Sequence, residues 1–129
     1  MPSQASVRVT NVYAGNPIDD LARVQGLSAG AYLKQADITS ISYSVYDLDN
    51  GSAVVKTGTL VVSSTIYDSL QVDKSWTKDN IGYNFKAALP ATCFPLAVRR
   101  YRVVYSFVTV SWGTVQDVAE FHTISPTGA

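Results

Sequence analysis

A chain of 129 residues is long enough for one domain whose core needs no metal or disulfide staple, and its single cysteine, Cys93, excludes an intrachain disulfide or a CxxC metal cluster. Charged side chains make up 16% of the sequence, below the roughly one quarter usual for globular domains. Ten basic residues balance ten acidic ones, so no broad positive field is available to attract a nucleic-acid backbone, and the self-repulsion that keeps copies apart is weak.

The residues from Met1 to Arg8 lack the basic and apolar regions of a secretory signal, and no apolar run approaches the 18 or so residues needed to cross a bilayer. The first strand is expected over Ser6 to Ala14, with Val7, Val9 and Tyr13 on one parity, and Gly15-Asn16-Pro17 ends it. A short strand from Leu21 to Gln25 leads into the small-residue loop Gly26 to Gly30, and Ala31 to Asp37 reads as a helical turn. Ile38 to Leu48 is the clearest element. Ile41, Tyr43 and Val45 alternate with Ser40, Ser42 and Ser44, the mark of a sheet with one buried and one wet face, and Asp49-Asn50-Gly51 supplies a tight hairpin turn.

Val54 and Val55 then lead to Lys56-Thr57-Gly58, and a further strand is expected from Thr59 to Ser64, with Leu60 and Val62 presented to one side. Ile66, Tyr67 and Leu70 anchor a short segment, and Asp73 to Asn80 is a polar crossing in which Trp76 covers one end of the core. Tyr83, Phe85, Ala87 and Leu89 alternate with Asn84, Lys86 and Ala88 until Pro90 stops the strand, and Ala91 to Val98 is a loop. Tyr101, Val103, Tyr105 and Phe107 share one face of the next strand, while Arg102, Val104, Ser106, Val108 and Val110 share the other. Ser111-Trp112-Gly113 turns the chain into a last strand, Thr114 to Ile124, before a frayed tail over 125–129. About seven or eight short strands with regularly spaced turn signals predict an all-β protein, a two-sheet antiparallel β-sandwich in one domain over 1–129, with a small β-barrel as the alternative.

Two local patterns resemble immunoglobulin-like and fibronectin-III-like sandwiches. Asp79-Asn80-Ile81-Gly82-Tyr83 is similar to a tyrosine corner, and Phe94-Pro95-Leu96 followed by Tyr101-Arg102-Val103 is similar to its other version. With Phe85 standing where the second cysteine would be, an antibody-type domain is excluded. A broader pattern over Leu21 to Ile124 takes in Leu21-Ala22-Arg23-Val24, Gln35 to Tyr43, Asp47 to Gly51, Trp76, Gly82 to Phe85 and Arg100 to Val103. It resembles small Ig-like proteins encoded among the virion genes of tailed bacteriophages and prophages, and the strand-plus-turn section is similar to N-terminal sandwich domains of phage baseplate proteins. The resemblance implies a non-enzymatic virion component, as capsid decoration or in the tail or neck, made in the host cytoplasm. Its implied partners are other virion proteins or further copies of itself, not nucleic acid or membrane, and it implies no catalytic residue and no cofactor.

Candidate chemistry is sparse. Asp47-Leu48-Asp49-Asn50-Gly51 places alternate oxygens before a glycine, as calcium loops do, but the twelfth position from Asp47 is Gly58 rather than a bidentate glutamate. Asp47 and Asp49 are therefore a calcium candidate set against a plain hairpin turn. His122, the only histidine, has no Gly-x-Ser-x-Gly elbow to serve. Asp19-Asp20 and Glu120 are candidates for a glycosidase pair set against plain solvating charges. Arg99, Arg100 and Arg102 cluster beside Tyr101, but residues 100 and 102 of a strand point opposite to residue 101, so a rim of ion pairs is expected rather than a single-strand groove. Tyr46, Tyr67 and Trp112 are candidates for stacking on sugars or packing on a partner. Val104, Val108 and Val110 form an apolar outer face that another strand, a loop or a neighbouring subunit should cover. A carbohydrate-binding module is the alternative function, with an enzyme third.

Overall fold

A computed structural model describes residues 8–25, 32–111 and 113–125. Eight strands fall within them: β1 (Arg8–Tyr13), β2 (Ile18–Ala22), β3 (Ile38–Asp47), β4 (Ala53–Leu60), β5 (Ile66–Gln71), β6 (Tyr83–Leu89), β7 (Arg100–Thr109) and β8 (Thr114–Ile124). They form a five-stranded sheet in the order β1-β8-β7-β3-β4 and a three-stranded sheet in the order β2-β6-β5. The chain passes between sheets after β1, β2, β4 and β6, the connectivity of an immunoglobulin-like sandwich. All pairings are antiparallel except one, because β1 lies parallel to β8, with Arg8 beside Ala119 and Tyr13 beside Ile124.

The alternation read in the sequence sets the packing. On β7, Tyr101, Val103, Tyr105 and Phe107 are fully buried, and on β3 Ile41, Tyr43 and Val45 join them. The opposing sheet contributes Ala22, Ile66, Phe85, Ala87 and Leu89. Phe85 sits edge-on to Tyr105 at 4.8 Å and to Phe107 at 5.3 Å, the T-shaped geometry that aromatic quadrupoles favour, while Phe94 closes one end against Tyr101 and Phe121. Trp76 is buried, as a cover for the core end should be.

Several elements differ from expectation, each for a tertiary reason. The second strand is Ile18–Ala22, not Leu21 to Gln25. Asp20 faces inward and accepts a 2.7 Å hydrogen bond from the Tyr105 hydroxyl, so a carboxylate that reads as loop belongs to a strand. Beyond Ala22, Asn84 takes over the backbone. Its Oδ1 accepts from Val24 N–H at 2.7 Å, and its Nδ2 donates to the carbonyls of Val24 and Leu33 at 3.0 and 2.9 Å, which ends strand pairing there. The helical turn contracts to a single 3-10 turn over Gln35–Asp37.

β4 is one strand where two pieces were expected, and Val62–Thr65 (α1) is a helical turn rather than the end of a strand. Gly58 does not break β4 because the Tyr43 ring lies across it, 2.6 Å from where a Cβ would stand. Of the two tyrosine-corner patterns, Tyr101 makes the corner: its hydroxyl accepts from Leu96 N–H at 3.1 Å. Tyr83 instead donates to the Asp73 carboxylate at 2.7 Å. The position two residues past the corner is therefore Val103, not Phe85, and it is fully buried. Ser6 and Val7, the loop Gly26 to Gly30, Ala31, Trp112 and the tail 126–129 lie outside the described residues.

Candidate functional site

The outward face of the five-stranded sheet carries most of the singled-out residues, arranged by strand register. Tyr46 lies across from Arg102 on one side and Val54 on the other. Val104 lies between Val118 and Ser44, and Val108 between Thr114 and Ser40. Between the two valines runs a polar row, Gln116, Ser106 and Ser42. The expected apolar face is thus two patches. Val104 is half-buried against its neighbours, whereas Val108 and Val110 stand exposed beside the 109–114 turn, with Val110 N–H donating to the Asp37 carbonyl at 2.9 Å. Trp112 lies outside the described residues.

Charge on this face is neutralised in place. Asp47, buried, accepts from Arg99 at 2.7 Å through Oδ2 and from Asp49 N–H at 3.0 Å through Oδ1. Asp49 Oδ2 accepts from Arg100 N–H at 2.8 Å and Oδ1 from its guanidinium at 3.1 and 3.3 Å. Those bonds, the backbone one foremost, hold the Asp49 carboxyl below its ordinary range, and the side-chain bond to Asp49 raises Arg100. Three of the four carboxylate oxygens of Asp47 and Asp49 accept from Arg99 or Arg100 and the fourth, Asp47 Oδ1, accepts from Asp49 N–H, so the pair ties the 48–52 turn to the start of β7. Among the described residues no group of three or more His, Cys, Asp or Glu side chains is placed to hold a metal ion.

Glu120 accepts from His122 Nε2 at 2.7 Å and from Arg102 at 3.4 Å, and these partners, His122 first, keep its carboxyl low despite burial. The arginine cluster is therefore three ion pairs with Asp47, Asp49 and Glu120. Glu120 and Asp20 lie on opposite sides of the large sheet, Glu120 facing out and Asp20 facing the core, so they cannot flank one glycosidic bond. Tyr67 is half-buried, its ring perpendicular to that of Tyr83 at 5.7 Å. Cys93 is buried, which pushes its thiol up and out of nucleophilic range. A shallow cleft of about 370 Å³ between Pro17, Ile18, Asp19, Ala88, Leu89 and Pro90 holds one carboxylate, Asp19, which lies 3.9 Å from Lys86.

What the sequence did not signal is a second apolar patch, at the β1 edge. Tyr13 (50% exposed) lies across from Ile124 (44%), Val9 (59%) lies four residues earlier on β1 opposite Glu120, and Val98 (80%) lies on the other side of β8, its N–H donating to the Thr123 carbonyl at 2.9 Å. Val98 and Arg99 both oppose Thr123, whose hydroxyl accepts from Arg99 N–H and donates to the Leu96 carbonyl, and this bulge holds Val98 at φ +58°. The shared parity of Val9 and Tyr13 places them on one side of a strand. That β1 is an edge follows only from the strand order.

Compared with known proteins, the chain matches no family model and no curated sequence.

Proposed function

We propose that this protein is a non-enzymatic structural or accessory component of a tailed-phage virion, on the head or in the tail or neck, and that it works through protein contacts. The observation that carries the reading is the chemistry of its outer surface. Arg99, Arg100 and Arg102 are paired with Asp47, Asp49 and Glu120, and the exposed apolar side chains offered to a partner include Val108 and Val110 at one end, Val9 and Tyr13 on β1, and Ile124 and Val98 beside the end of β8. Such a surface gains by burial and loses little charge solvation on docking. The resemblance over Leu21 to Ile124 supports the placement among virion proteins.

The test is to purify particles from infected cells and probe them for this chain by mass spectrometry and immunogold labelling. Stoichiometric recovery with labelled heads or tails is expected, and incorporation should fall at least tenfold for the Val108→Lys/Val110→Lys double variant with its circular dichroism unchanged. A chain made during infection but absent from particles would sink the reading. Glycan-array binding abolished by Tyr46→Ala would replace it with a carbohydrate-binding role.

A further inference from the structure

Of the four sheet edges, three carry features that block further strand pairing. On β4 there is a register shift opposite Val45/Tyr46, and Lys56 stands in the inward row opposite the buried Val45. β5 pairs irregularly with β6, and its Ile66 carbonyl and Asp68 carboxylate are capped by Gln35. β2 is short, follows Pro17 and carries Asp19 and Asp20. β1 is different. From Val9 to Tyr13 it has no proline, no charged side chain and no register shift against β8.

The direction of its amides follows from one bond. Ala14 N–H donates to the Ile124 carbonyl at 3.0 Å, so in a parallel ladder the even residues Thr10 and Val12 face β8 as well. Val9, Asn11 and Tyr13 then aim N–H and C=O outward, and among the described residues the one backbone bond made to them is from Asn16 N–H to the Tyr13 carbonyl at 3.3 Å.

We propose that this edge pairs antiparallel with the same edge of a second copy, about a two-fold axis through Asn11. In that register Asn11 faces Asn11 of the second copy, and Val9 faces Tyr13 twice over. Every outward amide then meets an outward amide, as a self-complementary contact requires. Among the described residues four of the six bonds so formed compete with no other backbone bond, and the two to Tyr13 share its carbonyl with the turn. The cross-strand pairs are aliphatic against aromatic, a favourable combination, and the formal net charge of zero sets no repulsion between copies. Strand pairing over so few residues buries less than the roughly 1,200 Å² of a standard interface, so association is reversible and concentration-dependent. The dimer does not rest on the virion reading, since purified protein can pair whether or not it enters particles.

Sedimentation velocity on the full chain tests this. A monomer–dimer equilibrium is expected for the wild type, and a single monomeric species up to about 1 mM would overturn the proposal. Asn11→Pro removes the central outward N–H and leaves the bonds of Thr10, Val12 and Ala14 to β8 in place, so it should weaken dimerisation at least tenfold at unchanged circular dichroism. Asn11→Lys, which sets like charges across the axis, gives the same readout should the proline variant misfold. Asn11→Cys should cross-link on mild oxidation, its Cα about 5.5 Å from the second copy's. Dimers that persist in both the proline and the lysine variants, or cross-linking through Ser42→Cys at the centre of the sheet face instead, would refute edge pairing.

Discussion

Val98 holds a β-branched side chain at φ +58°, a conformation that costs such residues roughly 1–3 kcal/mol. Its side chain is 80% exposed, so little core packing offsets the strain. Val98→Gly should therefore stabilise the protein by about 1 kcal/mol, after subtracting glycine's own entropic penalty of about 0.5–1 kcal/mol, and a urea titration reads the difference. A lower midpoint would mean that the valine is not strained. Asn84 runs the other way. Asn84→Leu strands the Val24 N–H and the carbonyls of Val24 and Leu33 in the interior, with an expected loss of at least about 3 kcal/mol in the same titration. Neither residue was legible from sequence. Asparagine in an alternating strand is assigned to water by its polarity, and only the neighbouring loop, some 60 positions away, makes it a buried staple.

Among elements, the two central strands could be read almost residue by residue because each buries one face and wets the other. β7 shows this most fully: its inward row is 0% exposed from Tyr101 to Phe107. Edges and connections could not. β4 looked divided at Gly58 because nothing in the local sequence announces that the Tyr43 ring will lie over that glycine, and the Asp47–Asp49 turn looked like a cation loop because its arginines lie about 50 residues further on. The 73–82 connection is a polar crossing organised by one carboxylate. Asp79 Oδ1 accepts from the Trp76 indole at 2.8 Å, from Ile81 and Gly82 N–H, and from Arg23, and the indole bond foremost drives its carboxyl far below the ordinary range. Asp79→Ala should release Trp76, seen as a red shift of its fluorescence with the sheet signal in far-UV circular dichroism retained. An unshifted emission maximum would show that packing against Tyr83, 5.7 Å away, suffices to hold the ring.

For the molecule as a whole, acid is the expected denaturant. Asp49, Asp73, Asp79 and Glu120 all have carboxyls lowered in the fold, so the unfolded chain binds more protons than the folded one as pH drops. Their contribution is fully present above the unfolded carboxylate values of about 3.9–4.3 and is lost as pH falls through the lower folded ones. Solvent screening keeps the share of the exposed Asp49, Asp73 and Asp79 modest. The urea midpoint should therefore decline from about pH 4 towards pH 2, less steeply in Asp79→Asn, and an identical slope in that variant would remove Asp79 from the account.

The parallel alignment of β1 with β8 also governs how the domain meets tension. Chain pulled away ahead of Arg8 and beyond Ile124 draws the two strands lengthwise past each other in opposite senses, so the rungs joining them share the load and must fail together. A hairpin gripped at its open end, such as β7 with β8, would instead unzip one rung at a time. A module wired in this way behaves as a stiff link when tugged along its length.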